Sequence, residues 1–391
     1  MTTNNDAIIQ KSFQTWKIVV AILLGLSVAF YMLYKSLSET YFIEDATNGT
    51  HSWVDANHNG KIDRSDALEF VPSQQGQFKQ QQLTDVLKEI SWTTQSIFWI
   101  LLSVVFMAGR DAAFMWRIRV LSKKDLNWRQ SFHVIMIWEF ASALAPGVAG
   151  GTAVAMFILN KEKIELGRST AITIVTAFMD NLFFVVMIPI VFLLLDTATL
   201  FPSDDIGTTS IKYVFWMAYG FKLTLDILLA ISLFVYPRFI QKLLSLIFRI
   251  PFLNKWKESA EKVGENIVIT SKIMRKEKSK FWLEVFASTW LSWISRYLVI
   301  NCIIAAFIHL DLGQHVIVLC RQLMLWIIMM VSPTPGGSGI AEFAFGKLMI
   351  GIGASSLLLS GLAIIWRLIA YFPYLFIGAI ILPKWLKGKE K

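Results

Sequence analysis

Long apolar segments separated by polar loops recur along the whole chain. A helix needs about 20 mostly apolar residues to cross the roughly 30 Å hydrocarbon core of a membrane. Six segments are long enough, at about 16–35, 93–110, 168–195, 213–236, 283–308 and 355–382. The pattern therefore predicts an all-α polytopic membrane protein with about six full spans.

Two further apolar regions, 132–159 and 316–352, are each interrupted near the middle. The first contains APGVAGG at 145–151, and the second contains SPTPGGSGIAEF at 332–343. Because proline and glycine interrupt helices, we expect each region to form two shorter helices joined at the interruption.

The composition agrees with a membrane protein, and the loop charges set its orientation. The chain is 55% hydrophobic, with a net charge of +9 and a mean hydropathy of +0.54. Basic residues concentrate in 116–130, in 237–282 and in the C-terminal tail, whereas 36–92 and 196–211 are acidic. Because basic loops stay in the cytoplasm, we expect a multi-pass inner-membrane protein with both termini cytoplasmic and no nucleic-acid binding.

The loop charges also place the two interrupted regions. Region 132–159 starts and ends on the cytoplasmic side, and region 316–352 lies between two outer ends. Both are predicted as re-entrant helical hairpins, one from each face; two short crossings in either region are the alternative. The order span, hairpin, span then occurs twice with opposite orientation, at 93–195 and 283–382. Inverted-topology repeats of this kind build transporters with binding sites near the midplane.

These boundaries divide the chain into four predicted parts. They are a cytoplasmic tail with the first membrane helix at 1–35, an extracytoplasmic loop at 36–92, a membrane domain at 93–382 and a basic cytoplasmic tail at 383–391. Segment 196–282 links the two repeats. Its basic part, 237–282, is predicted to lie as an amphipathic helix on the cytoplasmic leaflet.

The hairpin tips supply the first group of candidate site residues. Main-chain groups cannot remain unpaired in lipid, so an irregular tip requires protein or a wet cavity around it. A helix N-terminus beside glycines can bind an anion such as a lipid phosphate. Tight turns between packed helices are the alternative. The candidates are Gly150, Gly151, Pro335, Gly336, Gly337 and Gly339.

Charged residues within the apolar regions form the second group of candidates. They are Glu139, Asp180, Asp226, Arg296, Arg321, Glu342 and Arg367. A charge inside the membrane costs at least about 2.5–3.5 kcal/mol, so each should face protein, water or a counter-ion. We expect Arg321 and Arg367 to contact a phosphate and Asp180 to serve as an ion or proton site. Glu342 is expected to meet a cationic group or to orient a neighbour; salt bridges that lock helices together are the alternative.

The outer loop contains a calcium-loop pattern, WVDANHNGKIDRSD, at 53–66. In EF-hand loops, oxygen ligands at alternate positions surround Ca²⁺ and a glycine, here Gly60, makes the sharp turn. The last ligand is normally glutamate, and an aspartate there resembles dockerin-type loops. The expected ligands are Asp55, Asn57, Asn59, the backbone of Lys61, Asp63 and Asp66. A turn without an ion is the alternative.

A family resemblance is carried by LAPGVAGGTAVAMFILNKEKIELGRSTAITIVTAFMD at 144–180, PTPGGSGIAEFAF at 333–345 and WRLIAYFPY at 366–374. These stretches resemble the transmembrane flippase region of lysylphosphatidylglycerol synthases and the stand-alone membrane proteins of that family. The resemblance covers about 93–382. Its most specific element is P-x-P-G-G-x-G-x-x-E, followed by an arginine that corresponds to Arg367 here.

The resemblance implies a division of labour. In two-part synthases a soluble domain transfers lysine from charged tRNA to phosphatidylglycerol, and the membrane region moves the product to the outer leaflet. The chain ends shortly after its last predicted span, so we do not expect the transfer domain or its activity here.

We therefore expect translocation of a phospholipid or aminoacyl-phospholipid headgroup between leaflets, without enzymatic activity. Membrane lipids are the expected partners, and homo-oligomer formation is left open. Ca²⁺ in the outer loop is the cofactor that the sequence suggests. A small-solute secondary transporter and an integral-membrane enzyme acting on a lipid-linked substrate are the alternatives.

Overall fold

The computed structural model describes most of the chain from residue 40 onward. It covers 40–44, 48–58, 66–82, 92–144, 149–202, 206–248, 257–330, 340–354 and 356–389, with single residues at 31, 34, 60, 62, 332 and 337. Nearly all of the predicted first span, 16–35, lies outside these residues. The same is true of most residues of the two predicted hairpin tips.

The described membrane region is helical from Thr94. Its helices are α1 (Thr94–Leu121), α2 (Trp128–Leu144), α3 (Ala149–Lys161), α4 (Leu166–Leu194), α5 (Thr197–Leu200), α6 (Ile206–Ala230, continued by a π-helical turn at Ile231–Val235), α7 (Phe239–Ile247), α8 (Lys257–Met274), α9 (Ser279–Ala305), α10 (Leu312–Met330), α11 (Ile340–Leu348), α12 (Ser356–Ala370) and α13 (Phe372–Lys389).

Within the described residues, 5 helical stretches are long and apolar enough to cross a membrane. They are Thr94–Leu121, Leu166–Leu194, Thr209–Val235, Leu312–Met330 and Gly361–Leu386. Four of them coincide with predicted spans or extend them. The fifth, α10, is one arm of a predicted hairpin, and its 19 residues are long enough to cross alone. Re-entry at 316–352 and the inverted repeat therefore stay predictions.

Helix α1 is inside-out compared with a helix of a water-soluble protein. Phe98, Leu101 and Val105 are exposed, whereas Ser103 and Arg110 are buried. An apolar outer face suits lipid, and polar groups then have to face neighbouring helices. The arrangement supports the membrane assignment independently of hydropathy.

Helix α1 also corrects the predicted end of its span. The prediction ended the span at residue 110 and placed 116–130 in a basic cytoplasmic loop, but the helix continues for 28 residues to Leu121. The reason is that Arg110 and Arg117 are each only 1% exposed and have partners on neighbouring helices. Charge alone therefore misplaced this boundary.

The predicted last span, 355–382, is interrupted at Tyr371, between α12 and α13. Pro373 has no N–H group to donate to the preceding turn, so the regular hydrogen-bond ladder is broken there. A local hydrogen bond from Tyr374 N to the Tyr371 carbonyl, 3.2 Å long, lies at this interruption.

The two predicted repeats show the same order of neighbours. In the first, α1 packs on α2, α2 on α3 and α3 on α4; in the second, α9 packs on α10, α10 on α11 and α11 on α12. The most extensive helix pair, α1 with α9, joins the first helix of each half. Helix α13 packs on α2, and the basic-segment helix α8 packs on α4 as well as on α7.

The described part of the outer loop contains a β-sheet, which corrects the all-α prediction for this part of the chain. It forms an antiparallel sheet in the order β1 (Thr40–Glu44), β4 (Phe78–Gln82), β2 (His51–Trp53) and β3 (Phe70–Pro72). Phe42, Phe70 and Phe78 form its core, with the first two rings stacked at 4.1 Å. Aromatic residues in strands too short to show a clear alternation explain why the pattern was missed.

Candidate functional site in the helix bundle

Arg110 lies at the meeting point of four helices. From α1 it donates to Asp111 Oδ1 at 2.7 Å and to Glu139 Oε1 of α2 at 2.5 Å. Tyr374 of α13 donates its hydroxyl to Asp111 Oδ1 at 2.8 Å. Arg296 of α9 approaches the other Glu139 oxygen at 3.6 Å. Both predicted halves therefore contribute to one set of charges.

A second set lies two turns further along α1. Arg117 Nη1 donates to Asp180 Oδ1 of α4 at 2.6 Å and to Thr289 Oγ1 of α9 at 3.1 Å. Trp293 of α9 donates its indole N–H to the same Asp180 oxygen at 2.9 Å. The Phe114 ring lies between the sets, 4.3 Å from the Arg110 guanidinium and 4.1 Å from that of Arg117.

Together these residues form what we call the central charge cluster. Its members are Arg110, Asp111, Arg117, Glu139, Asp180 and Arg296. Three arginines face three carboxylates, so the formal charges cancel. Pairing offsets the desolvation cost of each group, although such pairs are seldom more stable than apolar packing. The cluster fixes α1, α2, α4 and α9 relative to one another.

Helix α6 carries a separate pair of buried charged residues. Lys222 Nζ contacts Asn181 Oδ1 at 2.5 Å and Met330 Sδ at 2.9 Å, and lies 4.7 Å from the Phe184 ring centre. Asp226, one turn further on, is 3% exposed. Within the described part of the chain, its buried Oδ1 has no hydrogen-bond partner.

The predicted charged site residues fall into separate sets of contacts. Asp180 belongs to the central charge cluster. Arg321 donates to the carbonyl oxygens of Thr199 and Ile350, both at 2.8 Å, so it ties α10 to α5 and to the turn that follows α11. Arg367 lies 4.1 Å from the Tyr371 ring centre. The contacts described for Asp180, Arg321 and Arg367 involve different partners.

The predicted glycine positions are partly described. A Cβ on Gly151 would lie 2.1 Å from Ser142 Oγ, so this glycine allows α3 to pack closely on α2. Gly337 has φ +69° and accepts at its carbonyl the N–H of Ala341, at the start of α11. Gly150 lies in α3. Pro335, Gly336, Gly339 and the side chain of Glu342 lie outside the described residues.

The outer loop shows part of the predicted calcium geometry. Asp55 Oδ2 accepts the N–H of Gly60 at 2.8 Å, and Gly60 has φ +66°, as the sharp turn of a cation loop requires. Asn57 donates its amide to Glu69. Asp66 Oδ1 accepts the N–H of Leu68 at 2.9 Å and caps a short 3₁₀ helix, Ala67–Glu69.

The ligand set itself is incomplete in the described residues, because Asn59, Lys61 and Asp63 fall outside them. In the part of the loop that is described, no group of three His, Cys, Asp or Glu side chains is arranged to hold a metal. The Asp55 to Gly60 turn fits a calcium loop, and calcium binding stays a prediction.

Sequence reasoning missed Arg110, Arg117 and Lys222. Ending the predicted span 93–110 too early left Arg110 at its boundary and placed Arg117 in a loop. Their signal was present, because Arg110, Phe114 and Arg117 recur at the spacing of one helical face. Lys222 lay within the predicted span 213–236 and was overlooked beside Asp226.

A helix bundle with apolar outer faces and paired charges in its interior is typical of a polytopic helical membrane protein. More specifically, the chain belongs to the family described as the lysylphosphatidylglycerol synthase TM region, whose model matches residues 76–378. A relative in Archaeoglobus fulgidus, described as a UPF0104 membrane protein, is 25% identical over 317 residues, covering 75% of this chain and 89% of the relative. No solved structure gives a significant match.

Proposed function

We propose that the protein moves a phospholipid or aminoacyl-phospholipid headgroup between the leaflets of the inner membrane, without chemical change to the lipid. The observation that carries the proposal is the central charge cluster, which joins α1 and α2 of the first half to α9 of the second. A charge in the membrane costs at least about 2.5–3.5 kcal/mol, and paired charges rarely repay it as stability. Their presence is better explained by a polar path.

The proposed path uses charges that can exchange partners. The contact between Arg296 and Glu139 is longer, at 3.6 Å, than the 2.5 Å contact between Arg110 and Glu139. A lipid phosphate can compete for Arg296, and an amino group can compete for Glu139, while the acyl chains stay in the bilayer. In this proposal the headgroup exchanges partners step by step and is never left without a counter-charge.

The two interrupted regions are proposed as re-entrant hairpins of an inverted repeat. The matching order of helix neighbours in both halves supports this. The predicted tip glycines and prolines, with Arg321, Glu342 and Arg367, are proposed as headgroup contacts. The basic segment 237–282 on the cytoplasmic side and Ca²⁺ in the outer loop complete the proposed topology.

Reconstitution into lipid vesicles tests the proposal. The purified full chain is incorporated with an acyl-chain fluorescent phosphatidylglycerol or its lysyl ester, and loss of fluorescence after adding an impermeant quencher reports translocation. We expect faster loss than in protein-free vesicles, and a severalfold slower rate for Glu139→Gln.

The matched control is Arg168→Gln, which removes a partly exposed ion pair with Asp125 of 2.7 Å. Its rate should equal that of the unmodified protein. Equal rates with and without protein for both lipids would contradict the proposed function. A new lipid product in the vesicles would instead favour an enzyme.

A further inference from the structure

Helices α9 and α10 run antiparallel and are joined by side-chain contacts at both ends of their interface. At one end Asn301 Oδ1 lies 3.0 Å from His315 Nδ1. At the other end Trp326 packs on Trp293 with ring centres 5.5 Å apart, and the Arg296 guanidinium lies 4.5 Å from the Trp326 ring. Moving backward along α9 thus means moving forward along α10.

Tyr297 and Gln322 lie between these two ends. Tyr297 is one helical turn from both Trp293 and Asn301, and Gln322 is one turn from Trp326. Tyr297 is 1% exposed and Gln322 is 0% exposed. Polar side chains therefore line the interface along its length. We call this interface the α9–α10 seam, formed by Arg296, Tyr297, Asn301, Gln322 and Trp326.

Every residue of the seam carries a buried polar atom that no described residue hydrogen-bonds. The atoms are Arg296 Nε, Tyr297 Oη, Asn301 Nδ2, Gln322 Nε2, Gln322 Oε1 and Trp326 Nε1. An unpaired buried polar group costs free energy, and folded proteins contain few of them. Several along one helix interface indicate a group that accepts and donates hydrogen bonds there.

The chemistry of these atoms limits what that group can be. The nitrogen atoms are donors, whereas Gln322 Oε1 is an acceptor and the Tyr297 hydroxyl is both. The partner must therefore offer several acceptors and at least one donor. Apart from Arg296, whose charge is shared with Glu139, the seam residues are neutral, so they match a neutral hydrogen-bonding group better than a full charge. A neutral group with several hydroxyls meets both conditions.

We propose that the α9–α10 seam binds a neutral, hydroxyl-rich group, either the sugar or polyol part of a lipid headgroup or the same group free in solution. This deepens the proposed function and rests on it, because it names one class of headgroup that the bundle recognises. Gln322 is the central contact in this proposal, since both its amide oxygen and its amide nitrogen are unpaired among the described residues. Tyr297 supplies a second contact to the ligand through its own hydroxyl group.

Binding to the purified full chain in detergent tests this. Native mass spectrometry or equilibrium titration would compare hexosyl-diacylglycerol, free glycerol and phosphatidate, which is charged and has no sugar or polyol group. We expect saturable binding of hexosyl-diacylglycerol, at least about tenfold tighter than phosphatidate. Competition by free glycerol would show that the hydroxyl group alone suffices, and lack of competition would show that the lipid part contributes.

Three variants locate the binding. Gln322→Leu removes both amide atoms and should weaken hexosyl-diacylglycerol binding about tenfold or more, and Tyr297→Phe should weaken it severalfold. The matched control is Tyr219→Phe, which removes a hydroxyl on α6 that donates to the Val185 carbonyl at 3.4 Å. The control should bind as the unmodified protein does.

Unchanged affinity in Gln322→Leu would overturn the proposal, as would equal binding of phosphatidate or no binding of either hydroxylated probe. The proposed function fails separately. Hexosyl-diacylglycerol binding that depends on Gln322, without translocation of any lipid in vesicles, would contradict translocation and leave the seam as a binding site. Translocation of phosphatidylglycerol with no hexosyl-diacylglycerol binding would contradict the seam proposal alone.

Discussion

The central charge cluster and the α9–α10 seam lie side by side and share Arg296, yet they handle buried polarity in opposite ways. In the cluster, full charges meet full counter-charges at 2.5–3.6 Å. In the seam, mostly neutral polar atoms lack partners among the described residues. Charged groups that pair with each other need no ligand to be satisfied, whereas unpaired polar atoms can gain hydrogen bonds when a ligand binds. The comparison separates a charge network, in which a headgroup has to displace an existing partner, from a seam whose polar atoms are unpaired among the described residues.

The largest expected effect is the loss of one arginine of the cluster. Arg117→Ala leaves Asp180 buried without its guanidinium partner, so we expect destabilisation of about 3–5 kcal/mol. Thermal unfolding in detergent measures it. Arg117→Ala with Asp180→Ala should recover part of the loss, because no unpaired charge remains.

Arg168→Ala is the matched control, since the Arg168–Asp125 pair is partly exposed and such pairs contribute about 0–1 kcal/mol. If Arg117→Ala and Arg168→Ala lower the free energy of unfolding by the same amount, the cluster does not hold the helices together. The comparison with the seam would then lose its first half.

The seam should respond in the opposite direction when no ligand is present. Gln322→Leu removes two unpaired buried atoms, so we expect unfolding stability to change by less than about 1 kcal/mol or to increase. The same thermal measurement applies, on protein stripped of lipid. Destabilisation by several kcal/mol would mean that Gln322 is already satisfied by the chain.

Calcium removal should have a smaller and local effect. A chelator is expected to loosen the outer sheet around Asp55 and Gly60 while the helices keep their stability, because the sheet has a core of its own, formed by Phe42, Phe70 and Phe78. Hydrogen exchange of the outer sheet measures this in the full chain, with Asp55→Ala as the variant that should not respond. Identical exchange with and without calcium would leave the loop as an ordinary Asx turn.

The smallest expected effect concerns Asp196, an exposed carboxylate that contrasts with the buried acids. Hydrogen bonds from the Thr199 hydroxyl and then from its backbone N–H, the latter 2.7 Å long, lower the Asp196 pKa. The lowered pKa means that this cap stabilises α5 above the ordinary aspartate pKa and is lost as pH falls through the folded value. NMR titration should show the Asp196 pKa rising in Thr199→Ala; no change would refute the assigned cause.

The sequence predicted the helical spans better than it predicted the charges. Hydropathy located α4 and α6 because an apolar stretch of that length is rarely anything other than a membrane-spanning helix. The partners of Arg117 and Asp180 could not be read from the chain, since they are far apart in sequence and meet only after α1 and α4 pack. The outer sheet was missed because its strands, three to five residues long, show little periodicity.

Among the predicted site residues, physical context decided how informative the sequence was. Asp180 was predicted as an ion or proton site, and in the structure it pairs with Arg117, an arginine that was assigned to a loop. Its role as an ion or proton site stays a prediction. Arg321 was expected to meet a phosphate, and in the structure it meets main-chain carbonyls instead. Phosphate binding by Arg321 stays a prediction, because an anion can still compete with neutral carbonyl oxygens for the guanidinium group.

Tyr371, where the last predicted span is interrupted, also contacts the other half of the membrane domain. Its hydroxyl donates to the Ala143 carbonyl at 3.1 Å, near the end of α2, just before the first interrupted stretch. The Tyr371 side chain thus links the interruption between α12 and α13 to the end of α2, in the other predicted half. Neither segment can therefore shift against the other without breaking this hydrogen bond.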